Sequence, residues 1–523
     1  MKFKFSQDKS KLILTDATNI EIHQLKLWLI RYVKDYRFMS KYKMGLWDGK
    51  INHFKDGYIR IGLWQEVYKC CKEHGYVFDV PKADFPFDNS LKIETIKSFC
   101  DEFYKDHRTL KTDKDPEGQV FTPYDHQIES IYKILKYKFG LIEVATAGGK
   151  SLIFASLLFY YLKNINPNAK FLLIVPSISL VNQMFDDFLD YNIGYNKDNK
   201  NPLNIKILEI MSDKPRKVRD GEEPNICIGT YQSLEKYPEA WFRQFEVVAT
   251  DEAHVAAAKS LESILTSTFG SAKVRFGMSG TYPDDNSAEY LTIVSLLGPK
   301  LLTVGSRTLM EKKLISDVKI KALILYHNDS NFADSISTIK KGGGGQKSFM
   351  LEKEYVQASS LRKEFITKLI SRFEQNSLLL FHNIEYGEII YNHLRDNVVG
   401  KDFYYIDGST PATKRSFIKK AMEDTSGNPK ILVASFGTLA VGINVKSICN
   451  IVFMDSFKSD KVIRQSIGRG LRLHSEKLKL HVFDIVDVFH KSFKNTLYKH
   501  YEVRRDSIYK KQDFPFDEIK ITL

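Results

Sequence analysis

The spacing of hydrophobic and polar positions changes character near residue 120. Before it, short alternating stretches (KFKF at 2–5, KLILT at 11–15) predict the strands of a small mixed domain, and apolar positions at helical spacing predict an amphipathic helix from Glu21 to Val33. Alternation over Lys50–Phe54 and Tyr58–Ile61, flanking Asp56-Gly57, predicts a β-hairpin. After residue 120 the pattern turns into near-continuous apolar runs: FGLIEVA (139–145), KFLLIVP (170–176), NICIGT (225–230), FEVVATDE (245–252) and VRFGMSG (274–280). Runs of this kind between helical segments are strands buried on both faces, which is the signature of a parallel sheet wrapped by helices. A second series follows: SLLLFHN (377–383), DFYYIDGS (402–409), PKILVAS (429–435), CNIVFMD (449–455) and LKLHVFDIVD (478–487).

The expected class is therefore α/β, with two tandem parallel-sheet lobes behind a small α+β N-terminal domain. The expected boundaries are 1–90 for that domain, 91–118 for a connector around a helix, 119–305 and 306–490 for the lobes, and 491–523 for a basic, aromatic C-terminal helix and tail. The stretch at 328–348, with four consecutive glycines at 342–345, is expected to be a flexible loop.

A chain of 523 residues exceeds what one core organises, in keeping with several domains. Lys and Arg outnumber Asp and Glu by 77 to 64, giving a net charge of +13 that suits a polyanionic partner. The five cysteines show neither paired metal-ligand spacing nor the density of a disulfide scaffold, so a reducing compartment and no zinc site are expected. The N-terminal MKFKFSQDKSK lacks an apolar signal core and no apolar run is long enough to span a bilayer, which predicts a cytoplasmic protein without membrane contact.

Candidate chemistry sits at the ends of the apolar runs. ATAGGKS (145–151) lies between a strand and a helical run, where Ala147, Gly148 and Gly149 let backbone amides approach phosphates. Lys150 then supplies a cation for the β- and γ-phosphates of ATP, and Ser151 supplies a ligand for Mg²⁺. Val144 occupies the first glycine position of the strict phosphate-loop fingerprint, so the loop is a variant of it. About a hundred residues on, a strand ends in Asp251-Glu252-Ala253-His254. Acids at that end of a parallel sheet face the ligand crevice: Asp251 for the magnesium through water, Glu252 to orient and deprotonate the attacking water.

These two motifs resemble motifs I and II of the superfamily 2 helicases, DEAH type, and the resemblance extends over about residues 120–490. It implies RecA-like lobes and a set of further roles. FTPYDHQ (121–127) is similar to the adenine-reading element, with Gln127 as its glutamine and Tyr124 as a candidate stacking residue. VPSISLVNQ (175–183) and IGTYQSL (228–234) resemble motifs Ia and Ib, implying strand-backbone contacts from Ser177 and Thr230. Ser279 and Thr281, in SGT, resemble motif III, which couples ATP state to nucleic-acid grip. In the second lobe, FHN with His382, GSTPATKR with Ser409 and Arg415, and VASFGTLAVGINV with Ser435 and Gly442 resemble motif IV, the phosphate-contacting loop after it, and motif V. QSIGRGLR resembles motif VI and implies catalytic roles for Gln465, Arg469 and Arg472. Arg469 and Arg472, three apart, can share one helical face and act on the γ-phosphate as arginine fingers do.

Order, length and the N-terminal segment YRFMSKYKMGLWDGKI (36–51) resemble the phage UvsW family of recombination helicases. Between Arg31 and Arg60 eight Lys or Arg face three Asp, interleaved with aromatics, a mixture that fits a DNA junction through Arg37, Lys41, Lys43 and Trp47. The expected activity is an ATP-dependent helicase or translocase on single-stranded and branched DNA, such as Holliday junctions, forks and RNA–DNA loops, in recombination, repair and replication. The resemblance also implies single-strand-binding or recombination proteins as partners and a host cytoplasm as the location. An RNA helicase, a DNA-annealing protein with incidental ATPase and a restriction or repair translocase subunit remain the alternatives. DNA-stimulated ATP hydrolysis separates motor from binding module.

Overall fold

The computed structural model describes the chain apart from residues 82–84, 106, 108–120, 197–202, 212–222, 438–444, 446, 457–462, 464–465, 469–478 and 491–494. The backbone divides into two compact units: residues 1–304 without 146–148, and 305–523 with 146–148. Each contains a seven-stranded, all-parallel sheet, the α/β architecture expected.

In the first unit the spatial order of strands is Lys300–Val304, Phe139–Val144, Val274–Ser279, Val247–Asp251, Phe171–Val175, Ile226–Thr230, Ile207–Ile210. Phe171–Val175, Ile226–Thr230 and Val247–Asp251 are buried at every position, which is why their sequences do not alternate. The helix Lys150–Asn164 is itself buried from Leu152 to Leu162.

The N-terminal segment shares this unit's core. Phe3, Leu12, Leu25, Ile59, Ile61 and Val67 belong to one continuous hydrophobic cluster with Leu291, Val294 and Leu297 of the helix Ala288–Leu297. A Cβ at Gly62 would run into the carbonyl oxygen of Val294, so the two backbones meet with no side chain between them. Arg60 pairs with Glu262 at 3.0 Å across the same junction.

Two local expectations for this segment are corrected. The helix spans Asn19–Trp28, opened by a Thr18 capping box with Glu21, and stops short of Val33 because Ile30–Tyr32 forms a strand instead. The turn at Asp56-Gly57 forms, but its arms do not pair with each other as a hairpin beyond an isolated Lys55–Tyr58 bridge. Lys50–Asn52 pairs with Ile30–Tyr32, and Tyr58–Arg60 pairs with Lys11–Ile13, which carries Leu12 and Ile59 into the core. Burial of those two residues outweighs the local turn signal.

The second unit orders its strands Asp402–Ile406, Lys430–Ser435, Ser377–Phe381, Asn450–Phe453, Lys479–Val488, Asp317–Tyr326, Phe516–Thr522. The stretch expected to be a glycine loop is instead helical on both sides: Ser330–Lys341 and Gly345–Ala358, with a turn at 342–344. Ala333 and Ile336 bury one face of the first helix, and Asp329 caps it through the Phe332 amide. The basic C-terminal stretch is tied into the lobe. Glu352 accepts hydrogen bonds from the Thr496 and Leu497 amides at 3.0 Å each, capping the helix Thr496–Arg504. Arg504 is held by Asp484 at 2.8 Å, and Phe516–Thr522 completes the sheet beside Asp317–Tyr326.

His53 lies at the junction of the N-terminal segment with the helix Ala288–Leu297, 3.5 Å from Thr292 Oγ1. Burial pushes its imidazole down from 6.5 to about 4, with Arg60, Lys55 and Arg31 adding to the effect. Below 6.5 the unfolded chain takes up a proton that the folded chain refuses until about 4, so stability present above 6.5 is lost as pH falls through that window. His53→Gln is expected to remove on the order of 2 kcal/mol of that acid loss. Thermal melts of wild type and variant between pH 7 and 4 check this, and parallel curves would place the proton uptake elsewhere.

Candidate active site

The phosphate-loop segment leaves the sheet at Val144 and enters the helix Lys150–Asn164 through Gly149, whose φ is +80°. No side chain among the described residues caps this helix, so its first amides stay available to an anion, and the helix dipole favours negative charge there. A Cβ at Gly149 would collide with Nε2 of Gln127, so this position is restricted twice, by conformation and by space. Ala147 also has a positive φ of 70°, an uncommon state for a residue with a side chain, as is found in loops shaped for a ligand.

Lys150 Nζ lies 3.1 Å from Glu252 Oε1 and 3.6 Å from Asp251 Oδ1. Burial works against the ammonium, but Glu252 and Asp251 outweigh it and hold its pKa above the ordinary lysine value. Burial likewise opposes ionisation of Glu252, yet Lys150 and then His254 keep it well below the usual carboxylate range. Asp251 is shifted the other way, because burial exceeds the help it receives from Lys150. Its Oδ1 is buried and has no hydrogen-bond partner among the described residues.

The acidic strand end is wired to the neighbouring strand. His254 Nδ1 lies 2.9 Å from Ser279 Oγ and 3.2 Å from Glu252 Oε2. The Ser279 hydroxyl donates to the Thr281 carbonyl at 2.7 Å, leaving its oxygen to accept from His254 Nδ1–H and from the Thr281 amide at 3.3 Å. Sequence reading took His254 only as the fourth letter of its motif. Its adjacency to Glu252 was the signal that it belongs to the site.

The other candidates are placed as follows. Gln127 is buried and its Oε1 accepts from the Tyr124 amide at 2.8 Å, while the Tyr124 side chain is 42% exposed and open to a planar group. Ser151 Oγ is 3.3 Å from the Tyr191 hydroxyl. Ser177 Oγ contacts Ser179 Oγ at 3.1 Å at the start of a helix. Thr230 is buried, and its hydroxyl caps the turn Tyr231–Leu234 through Ser233.

In the second unit, the His382 amide donates to Asp455 at 2.7 Å and its side chain is exposed. Ser409 is folded onto Asp407, its hydroxyl 2.7 Å from Oδ1. Arg415 donates from Nε and Nη2 to the carbonyls of Thr410, Asp407 and Gly408, so it shapes its own loop. Ser435 ends the strand Lys430–Ser435 and is buried. Gly442, Gln465, Arg469 and Arg472 lie outside the described residues.

At the N-terminal apex, Tyr32 and Tyr36 stack at 4.9 Å, and Tyr42 meets Tyr36 edge-on at 4.8 Å. Arg37 donates to the Tyr36 hydroxyl at 3.2 Å, and Trp47 Nε1 donates to the Lys50 carbonyl at 2.8 Å. Lys41 and Lys43 are exposed, as are Phe38 at 76% and Leu46 at 73%.

Three family models match in succession: "DNA helicase UvsW, N-terminal" over residues 1–81, "Type III restriction enzyme, res subunit" over 120–284, and "Helicase conserved C-terminal domain" over 361–474. The chain is 28% identical to the ATP-dependent DNA helicase uvsW of Enterobacteria phage T4 over 476 residues, 90% of this chain and 88% of that one. It is 24% identical to putative helicase 22 of a Sulfolobus islandicus filamentous virus, over 87% and 78% of the two chains. Among solved structures, the DNA-bound restriction-modification enzyme LlaBIII aligns with a TM-score of 0.54 at 16% identity, over 79% of this chain and 32% of that one, a likeness of fold.

Gly149→Ala adds a methyl group that meets Gln127 and must adopt a left-handed backbone. Its affinity for a fluorescent ATP analogue is expected to fall at least about tenfold, the scale of one or two lost amide contacts. Affinity equal to wild type in a titration would show that this loop does not hold the phosphates.

Proposed function

Because this chain is a superfamily 2 helicase related to the UvsW helicases over nine-tenths of its length, we propose that it uses ATP to unwind or branch-migrate forked and four-way DNA. The observation that carries the hydrolytic part is the cluster of half-buried Lys150 and Glu252 with buried Asp251 at the uncapped start of a helix. In this reading the loop amides and Lys150 hold the β- and γ-phosphates, and Glu252, kept ionised, orients the attacking water and takes its proton. Lys150 exchanges its carboxylate partner for phosphate when nucleotide arrives, which frees Glu252 for the water.

The donor set also fits a magnesium ion. Asp251 Oδ1 is a buried oxygen without a hydrogen-bond partner among the described residues, and Ser151 stands one residue beyond Lys150. When bound, the ion would neutralise phosphate charge, with Ser151 as direct ligand and Asp251 acting through water. Tyr124 and Gln127 would receive the adenine, and Ser279 and Thr281, joined to Glu252 through His254, would report the state of the γ-phosphate. By the resemblance of their motifs, Gly442 is assigned to nucleotide binding and Gln465, Arg469 and Arg472 to catalysis.

For the DNA, the exposed mixture at 36–47 suits a branch point. Arg37, Lys41 and Lys43 meet phosphates, Phe38 and Leu46 offer apolar faces to unpaired bases, and Trp47 braces the loop. Ser177, Thr230, His382, Ser409, Arg415 and Ser435 are assigned to the single-strand track, Thr230 through the backbone of its capped turn because its hydroxyl is internal. RNA–DNA hybrids fall within the same substrate class. Single-strand-binding or recombination proteins would be its partners in the host cytoplasm. No helix among the described residues is long and apolar enough to cross a membrane.

Lys150→Ala and Glu252→Gln are each expected to lower DNA-stimulated ATP turnover by about a thousandfold, with Glu252→Gln still binding ATP. Turnover within about tenfold of wild type would sink these roles.

Lys41→Ala with Lys43→Ala should weaken four-way-junction binding and reduce its log–log salt slope by about 1.8, while ATPase on single strands is retained. An unchanged slope would move branch selection away from the apex.

A further inference from the structure

The catalytic cluster lies where the strands of the first unit end. At the opposite edge, where Phe139–Val144, Val247–Asp251 and Val274–Ser279 begin, a cavity of about 620 Å³ opens between the sheet and the turn at 7–10 of the N-terminal segment. Its volume is that of a small-ligand site.

Arg275 lines this cavity. It is only 6% exposed, its head lies 4.1 Å from the centre of the Phe269 ring, and its Nε is buried without a hydrogen-bond partner among the described residues. A buried guanidinium with idle donors is costly, and native proteins keep one where a partner arrives from outside. Burial works against its charge, only partly offset by Asp8.

The acids nearby are already engaged. Glu246 accepts from the Tyr161 hydroxyl at 2.6 Å and Asn166 at 2.8 Å and pairs with Lys273 at 3.0 Å. Asp8 is taken up by Ser6 at 2.6 Å and by Ser10 at 2.8 Å. Lys9 and Lys138 line the same cavity without an ion pair among the described residues, so its uncompensated charge is positive. Phe139, Pro86 and Ile165 supply an apolar wall.

We propose that this cavity is a second ligand site that takes a phosphate monoester of mononucleotide size, with Arg275 and Lys138 on the phosphate and the apolar wall against the rest. Arginine offers paired donors to phosphate oxygens and lysine a point charge, so the two together suit a dianion better than a single carboxylate. The phosphate belongs to a free nucleotide or to the terminal nucleotide of a strand.

The test uses the full chain carrying Lys150→Ala, so that the phosphate loop does not contribute, and calorimetric titration with AMP, inorganic phosphate and a 5′-phosphorylated dinucleotide. AMP should bind one to one and more tightly than inorganic phosphate. Adding Arg275→Met, which keeps a stem over Phe269, should weaken AMP at least about tenfold, the loss of a charge-assisted contact. Lys138→Ala, at a partly exposed position, should weaken it in the same direction and decides the matter if the Arg275 variant fails to fold. Binding of the dinucleotide assigns the site to strand ends, and its exclusion assigns it to free nucleotide. Absence of AMP binding at millimolar concentration, inorganic phosphate binding as tightly as AMP, or binding unchanged in both variants overturns the proposal.

Discussion

In an all-parallel sheet every strand must be re-entered from the same side, so all strand ends, with the loops that follow them, collect along one edge. Here that constraint puts three sequence-distant segments side by side. The strand before the phosphate loop neighbours the one ending at Ser279, which in turn neighbours the one ending at Asp251. Lys150, Glu252, His254 and Ser279 can therefore form one connected network although they span residues 150–279. Each strand is buried on both faces and cannot shift register without exposing its core, so the network inherits the rigidity of the sheet.

The electrostatics of the site follow from that placement. A buried ammonium is tolerable because two carboxylates meet it, and one of them, Glu252, is kept ionised in return. Asp251 has the poorer share of that attraction and retains an oxygen without a hydrogen-bond partner among the described residues. Two adjacent acids thus differ in environment, as the two different tasks assigned to them require.

Much of this was legible in the sequence where burial is two-sided, because apolar runs such as FLLIV and SLLLF have no other stable use. The meeting of Lys150 with Asp251 and Glu252 was legible for the same reason, since each stands at the end of such a run. What misled was local chemistry overruled by distant contacts. Asp56-Gly57 signals a hairpin, yet its arms pair with strands at 11–13 and 30–32. Four glycines signal a loop, yet only 342–344 turn, and the last glycine starts a helix. The strand Phe516–Thr522 hides behind charged residues because it lies at a sheet edge and none of its residues is fully buried. The link from His254 to Ser279 joins the turn after one strand to the end of its neighbour and depends on sheet order, which periodicity does not encode.

The contact at Gly62 has a mechanical meaning. With backbone against backbone at Val294, a hydrophobic core running through the junction and Arg60 bonded to Glu262, the N-terminal segment lacks at Gly62 the side-chain layer along which it could slide over the helix Ala288–Leu297. Shear of the kind that moves packed helices past each other needs such a layer. A displacement of the helix Ala288–Leu297 therefore carries with it the strands Lys11–Asp16 and Tyr58–Arg60 that are packed on the same core.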